Sequence, residues 1–504
     1  MCERLGAPAN RTRKSPRGCG ALLPLPAMLL VAASCLCACQ LPDRHPAVMP
    51  ARGEVPLAGT ATASLPWPEQ QWWRQLGDAQ LDTLIELALA NAPDLQQAQA
   101  RVELALRTTE QQRAELGVKL DALANAARTG VPKNFSLPGS APEPNQPPPP
   151  SVTALGLAGL RFQYDFDWWG QRRAAVRSAL DRARASAAEH AASALLLQNA
   201  VANSYCGWLA DQQRLRIARD LVALAQSTLH ITQLRRGNGL DSAQTEHDAR
   251  IQLAQARLQL DALSGSAQMH KVELAALIGV APTQLPMLRP RPLPRFDTAL
   301  PADAGLALLG RRPDIAASRW RIEAAGEDVE QARTAYLPDI SISALAVFIS
   351  SDFKTLFHRD SVLWNVGPAL TLPVFESGRI RARYGVSRAQ LDGAIADYNL
   401  TVVGAARDVG TQVALLQQLS GQRAQQHLAV TESGALQARN DRLAQQGLTD
   451  RRERNAVRAQ TLRERDTALQ LDAQWLGAQL ALIKALGGGY QSDAAATAQR
   501  GRDD

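Results

Sequence analysis

Apolar residues recur at intervals of seven along two long stretches of this chain, and this repeat constrains its fold more than any other feature. A seven-residue period predicts helices that pack against one another as coiled coils. Each stretch runs for about 65 residues, from Gly170 or Gly378 to a turn at Gly237 or Gly447. At about 1.5 Å per residue, such a helix is roughly 100 Å long. The members of the repeat include Leu180, Val201, Trp208, Leu215, Ile395, Val402, Val409 and Leu416.

Both long helices are followed by a turn and a returning helix. The segment "RRGNGLDSAQ" offers Gly237 and Gly239 to end the first helix. Asp241, with Gln244 three residues later, forms a capping-box pattern that starts the next helix. In "QQGLTDRRE", Gly447, Asp450 and Glu453 predict the same arrangement. The sequence therefore predicts two helical hairpins.

The two hairpins belong to an internal duplication. Pro93-Asp94-Leu95 matches Pro313-Asp314-Ile315 at an offset of 220 residues. In each half, a shorter helix leads to two alternating stretches, which predict β-strands, and then to the long helix. The predicted strands cover residues 117–129, 152–164, 338–349 and 362–374. A proline-rich segment at 141–150 separates the first two strands and predicts an exposed loop.

The first forty residues predict an export signal, because a basic stretch precedes a short apolar run broken by prolines. The sequence "LCAC" resembles a bacterial lipobox, which makes Cys39 the expected site of lipid attachment, with Cys35 as a weaker candidate. Gln40 after it favours the outer membrane. Removal of residues 1–38, with five basic and one acidic side chain, lowers the formal net charge from +7 to +3. That charge is too small to indicate nucleic-acid binding.

After the signal, the sequence contains no apolar run long enough for a membrane-spanning helix, so a membrane crossing would need β-structure. Four strands cannot close a barrel, since the smallest bacterial barrels have about eight. Two copies would give a narrow eight-stranded barrel filled by side chains. Three copies would give twelve strands with room for a lumen, and would bring twelve long helical limbs together into a helical tube.

The junction between strand and helix occurs twice, at "FDWWGQRRAA" and at "PVFESGRIRARY". Trp168 and Trp169 are expected near the periplasmic membrane interface, where aromatic rings are favoured, or to serve ordinary packing. Gly170 and Gly378 mark the two junctions. Asp167 is expected to cap the helix that follows rather than to act with Asp165 as an acid/base pair.

With these features, the chain resembles outer-membrane efflux lipoproteins of the TolC/OprM type, in the NodT-like branch. The resemblance covers roughly residues 39–490. It rests on "WWRQLGDAQLDTLIELALANAPDLQQAQARVE", "YDFDWWGQRRAAV", "LLGRRPDIAASRWRIEAA", "VGPALTLPVFESGRIRA" and "KALGGGY". It implies a mainly α-helical membrane protein: a homotrimer with a twelve-stranded outer-membrane β-barrel, four strands per chain, continuous with a long α-helical coiled-coil barrel in the periplasm.

The resemblance also implies a function. The trimer would be a passive exit duct that receives small molecules from an inner-membrane transporter of the resistance-nodulation-division class through a periplasmic adaptor. Three common catalytic motifs, the phosphate-binding loop, G-x-S-x-G and H-E-x-x-H, are absent from the sequence, so we expect no enzyme activity. No cofactor is expected apart from the covalent lipid on Cys39, and no partner nucleic acid.

In the family, acidic side chains near the helix turns form rings that restrict the periplasmic entrance. Asp241 and Asp450 are the positions that match, either as gate residues or as helix caps that face away from the lumen. Gly237 and Gly447 are expected to contact the adaptor as well as form the turns. Arg451, Arg452 and Arg454 depart from the family pattern. They would reverse the charge selectivity if they lined the entrance, and we expect them to face outward.

These expectations divide the chain into six segments. They are the signal peptide (1–38), an anchored extended segment (39–78), the first repeat (79–281), a proline-rich connector (282–302), the second repeat (303–490) and a tail (491–504). Two other functions remain open. A type I protein-secretion channel shares nearly all of this architecture, whereas a coiled-coil adaptor or scaffold would not need the four strands.

Overall fold

The structure is a computed structural model, and it describes residues 42, 47–48, 50–55, 57, 66–130, 152–296, 300–301, 304–373, 375–376 and 378–491. The signal segment, Cys35, Cys39 and the proline-rich loop at 141–150 lie outside the described residues. The same is true of the tail beyond Gln491.

The described part of the chain contains the same series of elements twice, apart from short 3-10 turns. Each series begins with a short helix and a 22-residue helix that starts at a proline, and continues through two strands to a helical hairpin. The first series is α1 (Ala79–Asn91), α2 (Pro93–Ala114), β1 (Lys119–Gly130), β2 (Val152–Phe166), α3 (Gln171–Gly237) and α4 (Ala243–Ile278). The second is α5 (Ala304–Arg311), α6 (Pro313–Thr334), β3 (Asp339–Ser350), β4 (Val362–Thr371), α7 (Arg379–Gln445) and α8 (Arg451–Ala485).

Helices α3 and α7 each contain 67 residues, as the heptad pattern indicates, and span about 100 Å. The returning helices are shorter than expected: α4 has 36 residues and α8 has 35. Of the four helical limbs in each chain, only α3 and α7 therefore reach from the strands to the turns. Helices α2 and α6 contact the strand-proximal half of α3, so each takes the place of the missing length of a returning helix.

Two apolar clusters lie where the short helices pack against the hairpins. The first joins α1 and the 3-10 turn Trp72–Leu76 to α3, α4 and α8. The second joins α5 to α7 and α8. Within the first cluster, the heptad residues Val201, Trp208 and Leu215 are buried, as their period predicts. Because α8 contributes to both clusters, the clusters hold the two hairpins together between the sheet and the helix turns.

The four strands form one antiparallel sheet in the order β1-β2-β3-β4. Strands β2 and β3, which come from different halves of the chain, pair directly, with Phe166 opposite Ile340. The duplication therefore produces one continuous sheet rather than two separate hairpins. None of the described helices combines the length and the apolar character that a membrane crossing requires.

Candidate functional site

The two faces of the sheet differ in their content of polar side chains. Side chains of directly paired residues in antiparallel strands project to the same side, and they alternate along each strand. Apart from Arg128 and Ser350 near one end, the side that we call the apolar face carries apolar and aromatic residues. They include Leu120, Leu160, Phe162, Tyr164, Phe166, Ile340, Ile342, Phe348, Trp364, Val366 and Leu370. The opposite side, which we call the polar face, carries Lys119, Asp121, Asn125, Arg161, Gln163, Asp165, Asp339, Ser341, Ser343 and Asn365. It also carries apolar residues, in the middle of the sheet and toward the end farthest from the helices: Leu123, Leu155, Leu157, Leu345, Val347, Ile349 and Leu363.

A close contact at Gly159 indicates that the sheet bends toward its polar face. Gly159 on β2 pairs with Val347 on β3, and a Cβ atom added at Gly159 would lie 2.2 Å from the Ala346 carbonyl oxygen. Only glycine permits so close an approach of two backbones. The side chain of Val347 is only 2% exposed, although it lies on the polar face. The concave side is therefore the polar one.

The outer strands of the sheet are open. Among the described residues, β1 pairs only with β2, and β4 pairs only with β3. The free edges of both strands expose backbone N–H and C=O groups that can pair with another strand. The edge of β4 also carries exposed apolar side chains, including Trp364 and Leu370.

The junction between β2 and α3 is fixed by hydrogen bonds. The N-cap position of α3 is Gly170 rather than the predicted Asp167, but the Asp167 carboxylate accepts the first-turn backbone N–H groups of Arg172 (3.0 Å) and Arg173 (2.9 Å), as a capping side chain does. Although partial burial opposes it, these bonds and the Arg173 guanidinium lower the pKa of Asp167. Asp165 does not form a carboxylate pair with Asp167, because its own buried carboxylate contacts the Arg172 guanidinium at 3.1 Å.

Glycines and tryptophans complete this junction. Gly170 and Gly378, which precede the two long helices, have φ angles of 77° and 81°, a backbone conformation that favours glycine. The indole N–H of Trp169 donates to the Pro338 carbonyl oxygen at 2.8 Å and so ties the junction to the start of β3. Trp168 is 67% exposed.

At the far end of the hairpins, the two turns have the same backbone geometry. Gly239 and Gly447 have φ angles of 71° and 73°. The N–H groups of the following leucines, Leu240 and Leu448, bond back to carbonyls five residues earlier, which is the Schellman pattern of a helix end. Gly237, one of the predicted turn glycines, is the last residue of α3 and lacks the left-handed conformation.

The helix caps at the two turns differ. Asp450 caps α8 as predicted, since its carboxylate accepts the N–H of Arg452. The prediction that Asp241 caps α4 is wrong: Ser242 is the cap and accepts the Thr245 N–H at 3.2 Å. Asp241 is free for another contact because the hydroxyl next to it satisfies the helix end.

Four side chains form a cluster that joins the two turns, and we call it the tip ion-pair cluster. The Arg452 guanidinium donates to the carboxylates of Asp241 (3.0 Å) and Asp450 (3.2 Å). Arg235 also contacts Asp241, at 3.1 Å. The Asp241 side chain is only 8% exposed. The two expected acidic residues therefore lie together and are neutralised by arginines.

Arg452, which was expected to face outward, instead lies between the hairpins. No sequence pattern indicates this contact, because 211 residues separate Arg452 from Asp241. The hydrogen bond from the Arg452 backbone and the Arg452 guanidinium lower the pKa of Asp450 despite its partial burial. Arg451, on the same turn, is exposed and makes no ion pair with a described residue.

Comparison with known proteins identifies the chain. The family model described as outer membrane efflux protein matches residues 84–280 and 306–488, which is most of both repeats. The chain belongs to the outer membrane efflux protein family. It is similar to the multidrug resistance outer membrane protein MdtP of Escherichia coli K12, with 33% identity over 431 residues, 85% of this chain and 88% of MdtP.

Solved structures of outer membrane proteins have the same fold. The outer membrane protein VceC of Vibrio cholerae is 29% identical, with a TM-score of 0.74 over 84% of this chain and all of that one. The outer membrane channel CmeC of Campylobacter jejuni is 20% identical, with a TM-score of 0.77 over 91% of this chain and 97% of that one. The predicted TolC-like fold class, outer-membrane location and efflux function are thereby confirmed.

For an outer membrane efflux protein, the apolar face of the sheet has the character of a surface in contact with lipid. Tyr164, Phe166 and Trp168 lie at its helix-proximal end, and Phe348 and Trp364 lie toward the other. Eight residues separate Phe166 from Ala158, the partner of Phe348, which corresponds to about 26 Å. Aromatic residues at both ends of a band of about 25 Å are typical of membrane strands.

Proposed function

We propose that three copies of this chain assemble into one exit duct. The single observation that carries the proposal is that β2 and β4 each lead into a helix about 100 Å long, in a sheet whose two edges are open. In a ring of three copies, β4 of one chain pairs with β1 of the next, and twelve strands close around the concave polar face. Two copies give too narrow a ring for a lumen.

The proposed duct is passive. An inner-membrane transporter of the resistance-nodulation-division class supplies energy and small-molecule substrates, and a periplasmic adaptor connects it to the helical end. The chain itself catalyses no reaction. The printed description of MdtP, multidrug resistance outer membrane protein, favours drug-like cargo over the alternative, a protein exported by a type I secretion system.

The proposed lipid anchor on Cys39 is supported by the path of the segment that follows it. The Arg333 guanidinium, near the end of α6, donates to the Pro42 carbonyl oxygen at 3.1 Å. Further along, Val48 N–H bonds Asp392 and Arg52 N–H bonds Asn399. From Pro42 to Arg52 the segment therefore runs along α7 away from the sheet, and its N-terminal end lies nearest the sheet. Three residues span at most about 10 Å, so a lipid on Cys39 would be close to the membrane.

The tip ion-pair cluster is the proposed gate. Arg452 joins the turn of one hairpin to the turn of the other, and the hairpins can separate at the tip only if this contact breaks. In the assembled trimer, three such contacts would surround the entrance. The acidic groups at this entrance would therefore act by holding arginines across the two hairpins.

The proposed adaptor contact lies at the same end. The turns that include Gly237 and Gly447 present Leu240 and Leu448, which are 65% and 69% exposed. Beside them, a groove of about 290 Å³ between α3, α4 and α8 is lined by small and polar side chains, including Thr228, Gln255 and Asn455. Exposed leucines next to a polar groove suit the docking of another helical turn.

Three measurements test this function. We expect the detergent-extracted protein to have the mass of a trimer, to conduct ions in planar bilayers, and to restore drug resistance to a deletion strain. A stable monomer, or a deletion without any resistance or secretion phenotype in a strain lacking paralogues, would contradict the proposal. Mass spectrometry of the Cys39→Ala variant, beside Cys35→Ala, identifies the lipidated residue. Neighbouring genes for an ABC exporter and a large exported protein would favour type I secretion.

A further inference from the structure

The segment that joins β3 to β4 has a fixed shape, and we call residues 351–361 the β3–β4 loop. The hydroxyls of Ser350 and Thr355 are hydrogen-bonded at 2.8 Å, and the Ser361 hydroxyl donates to the Thr355 carbonyl at 2.8 Å. The Asp352 carboxylate accepts the Lys354 N–H at 3.0 Å. Since the loop satisfies many of its own polar groups, its outward-facing side chains are held in place.

The loop folds over the end of the apolar face that is farthest from the helices. Its Phe353 and Leu356 lie over Gly156 of β2, where an added Cβ would be 3.0 Å and 3.2 Å from their side chains. The Phe357 ring packs edge-on against Phe348, with 5.6 Å between centroids. Both Gly156 and Phe348 belong to the apolar face, so the loop continues that face beyond the strands.

The loop leaves two rings uncovered. Leu356 is buried and attaches the loop to the sheet, whereas Phe353 is 47% exposed and Phe357 is 71% exposed. Trp364, on the apolar face of β4, is also exposed. A rigid loop that exposes two phenylalanines next to an apolar sheet face has a surface suited to acyl chains.

Two cations lie beside these rings. Lys354 and Arg359 are exposed, and neither forms an ion pair with a described residue. The loop also contains two acidic residues, Asp352 and Asp360. The Asp352 carboxylate accepts a backbone N–H of the loop. Long cationic side chains next to apolar rings reach toward the anionic groups at a lipid interface.

We infer that the β3–β4 loop binds the phosphorylated glycolipid of the outer leaflet, with acyl chains against Phe353 and Phe357 and phosphates on Lys354 and Arg359. The inference rests on the proposed function. If the helical end of the duct lies in the periplasm, the loop at the opposite end of the sheet lies at the outer surface of the membrane. Continuity of the loop with the apolar face, and two exposed cations that make no ion pair with a described residue, favour this occupant over a second protein. The experiments below distinguish lipid from the alternative occupant, a neighbouring copy of the chain that covers Phe357.

The test uses full-length protein in phosphatidylethanolamine vesicles with or without bisphosphorylated lipid A, and measures the lipid A retained after extraction and purification. For the double variant Lys354→Ala/Arg359→Ala, we expect on the order of tenfold weaker retention. The matched control Arg381→Ala/Arg383→Ala removes two exposed cations at the helical end of the sheet and should retain lipid A as the unmodified protein does. Equal retention by the loop variant and the unmodified protein would overturn the inference.

Two further experiments identify which part of the lipid the loop recognises. Dephosphorylated lipid A should be retained about as weakly by the unmodified protein as lipid A is by the loop variant. If dephosphorylated lipid A were retained as strongly as lipid A, phosphate recognition would be excluded.

Phe357→Ser should weaken lipid A retention without changing the trimer fraction, and a loss of trimer would show that a neighbouring chain covers the ring. Conductance in vesicles without lipid A tests the proposed function separately, because it does not depend on the loop.

Discussion

Replacing Arg452 by alanine should open the periplasmic end of the duct. The substitution removes the 3.0 Å contact to Asp241, the cross-hairpin bond of the tip ion-pair cluster. Asp241 keeps Arg235 as a partner, so no buried charge is left unpaired. A hydrogen bond between charged groups contributes about 1.5–3 kcal/mol. Because the Arg452 side chain is 27% exposed, the lower end of about 1.5 kcal/mol per chain is appropriate.

The size of the effect depends on how the three chains open. At 1.4 kcal/mol per factor of ten, independent opening should shift the equilibrium about tenfold. Concerted opening of three chains adds to about 4.5 kcal/mol, a shift of roughly a thousandfold. Planar-bilayer recordings of open probability distinguish the two cases. Uptake of an antibiotic too large for ordinary porins gives a cellular readout.

The neighbouring residue supplies a matched control. Arg451→Ala removes the same charge from the same helical turn, but Arg451 makes no ion pair with a described residue. We expect this variant to conduct as the unmodified protein does. If both variants were indistinguishable from the unmodified protein, or both leaked equally, the contact between Arg452 and Asp241 would not be the gate.

Three other outcomes are expected. The pKa of Asp450 is lowered from 3.8, so its stabilisation is complete above that value and is lost as the pH falls through the lowered pKa. Closed-state conductance should therefore stay constant from about pH 8 to pH 5 and rise only in stronger acid, and a rise near neutral pH would contradict this. Asp167→Ala should lower the free energy of unfolding by about 1 kcal/mol, measured by thermal unfolding, with Asp167→Asn less affected. Gly159→Val should prevent trimer formation on heat-modifiability gels, whereas Gly367→Ala, with no atom within 4 Å of the added Cβ, should not.

Local patterns were sufficient to predict the secondary structure. Pro93 and Pro313 begin the helices that the duplication indicated, and the strand ends differ from the predicted ones by at most three residues. The lengths of α4 and α8 were not predicted. That α2 and α6 pack against α3 and complete the length of these shorter helices depends on contacts between residues distant in the chain.

The site could be predicted less completely than the fold. Asp167 and Asp450 were recognised as caps because a cap depends on residues two to six positions away. Asp241 was assigned to the wrong role, because Ser242 beside it offers the helix an equivalent acceptor. A choice between two adjacent acceptors depends on backbone angles that the residue types alone do not specify.

By itself, the sequence determined the periodic features of this protein: two strand-to-helix junctions, two long hairpins, the duplication and the family. These depend on local propensity and on repeats, which are visible along the chain. Tertiary structure alone decided the pairing of β2 with β3, the curvature at Gly159, the β3–β4 loop on the apolar face, and the contact of Arg452 with Asp241. Each of these joins residues that are distant in the chain or depends on the direction of a side chain, and no local pattern encodes either.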